Sequence, residues 1–275
     1  MKTILLILTL LIIGTLIYFN NPNYHIIVLP DKLIEVAYPI IITNSNTKII
    51  GGNHTILRLK NNANCPVIMI GGLRGNQITN VIISNITIDG NRTNQTTEYW
   101  IYTIRGVINN NGIIVQNAKN VNISDIIIKS CKSGGLVTTL SVSDIIVDNV
   151  VSYDNEYDGI ACYETRDSIF SNLNLYNNKA AGISLDNNFN SNRFSNCFIS
   201  NNVTGIFMRT SSYNQFNNIV ITNGKYGVFL AQVDKNTNTA CINNVFDTIS
   251  IKTAHNFVIN DVSCTNNIVK NKWFY

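Results

Sequence analysis

The 275-residue sequence predicts an all-β solenoid with about 22–24 residues per coil, and three observations carry that reading. A Gly followed by an aliphatic residue recurs at Gly112, Gly135, Gly159, Gly182, Gly205 and Gly227. A second row keeps the same beat: NVNISDIII from Asn120, SDIIVDNVV from Ser143, DSIFSNLNL from Asp167, NRFSNCFIS from Asn192, NQFNNIVIT from Asn214 and NNVFDTISI from Asn243. Each of these alternates apolar and polar residues around a polar break, as a half-buried strand does. The third observation is composition: 46 Asn, which favour turns, stand beside 44 β-branched Ile, and no Pro follows Pro66.

The same composition excludes other classes. Charged residues are only 13% and hydrophobic residues 45%, so the chain is neither disordered nor a helical bundle built on Ala, Leu, Glu and Lys. A net charge of +4 without a Lys/Arg run argues against a nucleic-acid partner.

Along the chain, Thr3 to Phe19 (TILLILTLLIIGTLIYF) is apolar and uncharged, long enough for a membrane span at its lower limit of about 17 residues. Asn20, Asn21, Pro22 and Asn23 follow, with no small-x-small cleavage site. Residues 1–20 therefore read as an uncleaved signal-anchor, with a cleaved signal peptide as the alternative. Either reading makes the protein extracytoplasmic, with the membrane as a partner through the N-terminus. Residues 21–39 read as a connecting or cap segment, and the solenoid runs from 40 to 275.

A coil of this kind cannot bury its apolar face alone; it does so by pairing each strand in parallel with its copy one period on, about 4.8 Å away. Asn155, Asn178, Asn201 and Asn223, each four residues before a repeat Gly, are expected to stack as an amide ladder in the turn. The coil length, this Asn row and the Gly-aliphatic rows resemble the right-handed parallel β-helix proteins of the pectate-lyase-like superfamily. The segments IIGGNHTIL from Ile49 and NITIDGN from Asn85 are similar to the opening rungs of such proteins. The resemblance covers roughly Ile40 to Tyr275 and implies the fold; for function it implies only a superfamily of polysaccharide lyases, hydrolases, epimerases, tailspikes and adhesins. An insertion, NRTNQTTEYWIYTIRGVINN from Asn91, is expected to wall a site.

Counting from each repeat Gly locates candidate site residues. With the first residue after the Gly pointing inward, the second and fourth point to solvent. The fourth-position row contains Gln116, Thr139, Tyr163, Asp186 and Arg209, and the second-position row contains Ser184, Phe207 and Phe229, with Glu164 and Gln232 at the fifth position. Aromatic rings suit pyranose faces and Arg suits a uronate carboxylate, so the expected partner is a polysaccharide. Gln116, Thr139, Ser184, Phe207, Phe229 and Gln232 would bind it. Two chemistries fit: β-elimination with Arg209 and Tyr163, or hydrolysis between Glu164 and Asp186 on neighbouring rungs. Against both stands the simpler reading of Asp186 and Arg209 as a surface ion pair.

No catalytic motif of the related enzyme families is present: His25, His54 and His255 are the only His, none within a Gly-His-Gly, and the repeats lack Pro. Whether the protein is an enzyme, a lyase or a hydrolase, stays open, and the alternative is a non-catalytic rod used for adhesion or as a surface component. No cofactor is implied. The turn YDNEYDG, with Asp154, Glu156 and Asp158, offers oxygen ligands of the type Ca²⁺ takes, though a solvated turn explains it as well. Finally, Cys241 and Cys264 lie one coil apart in the same register, which fits a disulfide between the last coils in an oxidising compartment, with free buried thiols as the alternative.

Overall fold

The computed structural model describes residues 17–21, 23–72, 75–97, 101–103, 106–231 and 240–275, with side chains undescribed at 17–21, 101–103 and 106–108. Two parallel sheets wind about a common axis. One has nine short strands, from Ile40–Ile42 to His255–Ile259, one for each coil. The other, of fourteen strands, is built on long strands such as Ala118–Lys129 and Val142–Tyr153 and ends at Ile268–Phe274. Every pairing between coils is parallel and in the expected register: Gly-row strands stack as Ile113↔Leu136, Leu136↔Ile160, Ile160↔Ile183 and Ile183↔Ile206.

The long strands bend near their middle, and the 12-residue ones also near their start, at Asn80, Asn120 and Asp144. A residue in the left-handed region interrupts them at Asp125, Asn149, Asn172, Asn196, Asn218, Thr248 and Asn271, with φ between 41° and 57°. Asn and Asp enter that region at low cost, and this is the polar break seen in the sequence. Their side chains are tied along the axis, Asn196 Nδ2 donating to Asn172 Oδ1 at 3.2 Å and Asn218 Nδ2 to Asn196 Oδ1 at 2.8 Å. Each coil thus has three straight segments around one apolar interior.

The repeat Gly has a steric cause. A Cβ added at Gly112, Gly135, Gly159, Gly182 or Gly205 would meet the carbonyl oxygen of the next coil's Gly at 2.5–3.0 Å. Only a residue without a side chain permits that approach. The first residue after each Gly is wholly buried, at Ile113, Leu136, Ile160, Ile183, Ile206 and Val228. From the long strands, Phe170, Phe194, Phe216 and Phe246 stack down the axis with ring centroids 4.6, 5.1 and 4.6 Å apart.

The buried amide ladder is Asn155–Asn178–Asn202: Asn155 Nδ2 donates to Asn178 Oδ1 at 2.8 Å, and Asn178 Nδ2 to Asn202 Oδ1 at 3.1 Å. Asn201 and Asn223, expected in it, instead hold the left-handed turn position, with φ of 54° and 57°. The register is set by that residue: the ladder Asn is the one after it, and the turn from Asn201 to Gly205 is one residue shorter than the turn from Asn177 to Gly182. A second buried ladder, absent from the sequence expectation, runs Asn192–Asn214–Asn244–Asn267 with Nδ2 to Oδ1 distances of 2.9–3.2 Å.

Other expectations at the ends change. Residues 1–16 lie outside the described residues. Ile17–Asn21, which begins inside the expected apolar span, is a strand antiparallel to Tyr24–Val28, and no helix among the described residues is long and apolar enough to cross a membrane. Within the expected connecting segment, Tyr24–Val28 and Leu33–Val36 pair in parallel with Thr47–Ile50 and Ile56–Leu59. At the C-terminus Val245 does pair with Ile268, so Cys241 and Cys264 are in register, but both are free buried thiols. Cys264 Sγ lies 3.7 Å from the Ala231 carbonyl, and the two thiols are close enough to interact with each other.

The insertion opens with a 3-10 turn, Arg92–Asn94, followed by a hairpin of Ile101–Thr103 and Gly106–Ile108. The expected site wall falls largely on residues 98–108, which include positions outside the described residues. Arg92 ties the opening turn to the acidic one, donating to the Asp154 carbonyl at 2.7 Å and its carboxylate at 2.8 Å. Glu156 lies 3.6 Å from Arg92 and 2.9 Å from Lys179. Asp154 and Glu156 are thus engaged by cations, and no group of three His, Cys, Asp or Glu converges as a metal site among the described residues.

Candidate functional site

The short-strand sheet turns one face inward and one outward, and its outer face changes character along the axis. At the N-terminal end it is closed. Met69, Ile114, Val137 and Ala161 form a second apolar cluster on that face, with Ile41 and Tyr163 packed against it. Gln116, expected at the surface, is wholly buried in the same stretch, and Thr139 is half-buried. The period of two assigns these side chains to the correct face, but that face is covered here.

Three further expectations fall at the C-terminal ends of the strands. Asp186 is buried and fully engaged: it accepts Arg209 Nε at 2.8 Å, the Asn187 amide at 2.7 Å and Thr210 Oγ1 at 3.3 Å. Arg209 also donates to it through Nη2. Tyr163 lies beside Asp186 on the previous rung. Burial, with Asp158 and Asp186 nearby, pushes its phenol well above the ordinary value, and Arg209 only partly offsets this. A phenol so raised is a poor base at neutral pH.

Glu164 and Asp186 do not form the expected carboxylate pair. Glu164 is exposed in the left-handed turn position, φ 49°, and its amide meets the Asn187 carbonyl at 2.9 Å. It stacks in the turn column with Asn187, while Asp186 belongs to the strand column of Tyr163. Gln232 lies outside the described residues.

From Phe207 onward the face opens. Ser184, Phe207 and Phe229 occupy one outward column, and the rings of Phe207 and Phe229 stack at 6.1 Å with planes 8° apart. Tyr226 leans on Phe229 at 4.9 Å and stacks on His255 at 5.3 Å, with Lys225 Nζ 5.0 Å above its ring. Half-buried rings in this arrangement form a ledge about three rungs long.

Beside the ledge is a groove of about 360 Å³ lined by Asp158, Lys179, Ser184, Val203, Thr204 and Phe207, among others. Asp158 is the new member. It precedes repeat Gly159 where the other rungs carry Asn111, Gly134, Ala181, Thr204 and Tyr226, so it is the single carboxylate of that column. That contrast was the signal available in the sequence. One of its oxygens accepts the Ala181 amide at 2.8 Å, and burial pushes its pKa up to about 6. The groove therefore presents a carboxyl that changes charge near neutral pH, a hydroxyl, a cation and an aromatic ring.

The family model for the right-handed β-helix region matches residues 32–246. Among solved structures, the chain is similar to the A-module of the Azotobacter vinelandii mannuronan C-5 epimerase AlgE6, at 12% identity and TM-score 0.53, over 92% of this chain and 91% of that one. It is similar also to ORF18 of Geobacillus virus E2, at 14% identity and TM-score 0.60, covering 91% of this chain and 53% of that one. A third is the pre-mature gene product 12 of bacteriophage phi29, at 12% identity and TM-score 0.56, covering 86% and 47%. No curated protein sequence matches. At these identities the solved structures agree in fold alone, and with the family model covering most of its length the chain belongs to the right-handed β-helix family.

Proposed function

We propose that the protein binds a polysaccharide outside the cytoplasm, along the open half of the short-strand sheet's outer face. The observation that carries this reading is the ledge of Phe207, Phe229 and Tyr226 beside the Asp158–Ser184–Lys179 groove. Ring faces accept pyranose C–H groups, while the hydroxyl, carboxyl and ammonium groups beside them meet sugar hydroxyls. A related fold in a mannuronan C-5 epimerase supports a carbohydrate ligand. The apolar stretch from Thr3 to Phe19 supports the location, with residues 1–20 as a signal or anchor.

Binding fits the geometry better than cleavage by the expected residues. Asp186 and Arg209 satisfy each other, Tyr163 holds its proton, and among the described residues no two carboxylates line one groove. The same observation favours the rod as a second reading, and virus proteins among the similar structures are consistent with it.

A glycan array probed with the full chain, followed by titration of the best ligand, tests the proposal. Replacing Phe207 and Phe229 together by Ala should weaken binding by about tenfold or more, the worth of one to two stacked rings. Unchanged affinity, or no retained glycan, would favour the rod.

A further inference from the structure

The small groove does not end at Lys179. Lys179 and Val203 also line a larger depression of about 1140 Å³ at the corner where the long strands turn into the short ones. Its other lining includes Lys225, Lys252, Asn177, Asn201 and Asn223. No Asp or Glu lines it. In a chain with only 13% charged residues, three ammonium groups around one depression, of which only Lys179 is paired with a carboxylate, is a marked local field.

The fold explains the arrangement. The corner requires a left-handed residue on each rung, which places Asn177, Asn201 and Asn223 in a column of amides. The residues two positions on are Lys179, Val203 and Lys225. Lys179 and Lys225 are therefore two rungs apart, roughly 10 Å along the axis, and Lys252, which pairs with Thr222, adds a third cation one rung further on and three residues to the side of that column. A linear glycan advances by about the same step per one or two sugar units, so its anionic groups can meet successive lysines while the amides meet its hydroxyls.

Two of the lysines are held in place. Lys179 Nζ is anchored from the preceding rung by Glu156 at 2.9 Å, and Lys225 Nζ sits over the Tyr226 ring. Lys252 is exposed and makes no ion pair among the described residues.

We infer that this corner is a subsite for the negative groups of an acidic glycan whose chain continues from the Phe207 groove past Lys179. The inference rests on the polysaccharide reading above and adds the ligand's charge and its path. The shared chemistry is a carboxylate or sulfate on a linear sugar chain.

The test titrates the full chain with a panel of uronate hexasaccharides, with the same oligosaccharides after reduction of their carboxyl groups to alcohols, and with sulfated neutral hexasaccharides. The comparison variant is Lys225→Gln with Lys252→Gln; Lys179, which also lines the small groove, is left in place. At low salt the wild type should bind an acidic form about tenfold or more tighter than its neutral counterpart, and the preference should shrink as salt rises. The double variant should lose most of that preference, and Lys252→Gln alone, away from the Tyr226 ring, should lose part of it while binding the neutral form as before, with an unchanged melting temperature. Preference for the sulfated over the uronate form would assign the group to sulfate. A wild type that binds acidic and neutral forms alike, or a double variant that keeps the preference, overturns the corner subsite alone. Binding of none of them overturns the polysaccharide reading as well.

Discussion

At Asp158 a carboxylate oxygen stands where a backbone carbonyl would otherwise meet the next rung's amide, since Gly159 donates to the Ala181 carbonyl and Ala181 donates to Asp158. Burial raises this pKa from 3.8 to about 6. A raised carboxyl favours the folded state in its protonated form, so its contribution is complete below about pH 4 and is lost as pH rises through about 6. Two pKa units correspond to roughly 3 kcal/mol at most. Asp158→Asn keeps an oxygen for the Ala181 amide without the charge. Its stability should therefore be flat from pH 4 to 7 and exceed the wild type's at pH 7; denaturant midpoints at four pH values check this, and parallel curves would sink it. At Arg209 the geometry predicts a cost in folding as well. Arg209→Ala leaves the buried Asp186 carboxylate with only Asn187 and Thr210, and should destabilise by about 1–3 kcal/mol in equilibrium unfolding. At this scale the sequence indicated faces but not cover. Ser184, Phe207 and Phe229 lie where period-two counting puts them, Ser184 buried beside the groove and the two rings half-buried on the open face, whereas Gln116 is wholly buried and Glu164 leaves the strand at a left-handed turn.

At the scale of the elements, the ladders separate two kinds of Asn that composition alone cannot distinguish. Asn178 is buried, donates to Asn202 and to the Ser152 carbonyl, and accepts from Asn155. Asn178→Leu should destabilise by about 1–3 kcal/mol, because the Asn155 and Asn202 amides lose partners where water is absent. Asn214→Leu in the second ladder should behave alike. Asn201→Leu is different: the side chain is exposed, and the cost is the left-handed backbone alone, about 1–2 kcal/mol, which Asn201→Gly should not incur. Thermal unfolding of these variants checks the order, and an intolerant Asn201→Gly would contradict the assignment. The ladder was anticipated from the spacing of Asn to the downstream Gly. That spacing fails at Asn201 because the rung is registered from its upstream strand end, and a turn can lose one residue without disturbing either sheet. The Asn192 ladder sits before the long strands, outside the Gly register used to search for it.

The whole molecule was legible because its repeat is imposed by contact between copies. A Gly whose Cβ would strike the next Gly carbonyl, and an Ile that must fill the same interior on each coil, write the same letters every 22–24 residues. Features that occur once escape such a reading, as the covered half of the outer face, the Asp158 groove and the free Cys241 and Cys264 all show. Stacking also dictates how stability is shared, since each rung touches only its neighbours. Phe194 stands between Phe170 and Phe216 in the axial ring stack and is almost fully buried. Phe194→Ala should cost about 3–5 kcal/mol, whereas Trp273→Ala on the half-exposed last strand should cost far less. The loss should also be local. Hydrogen exchange of the Phe194→Ala variant should quicken most at the flanking rungs, at the amides of Leu173, Cys197 and Ile219, and decay toward Val36 and Leu57 near the N-terminal end. An equal loss of protection from Val36 to Ile251 would mean that the coils unfold as one unit, and would refute the nearest-neighbour account.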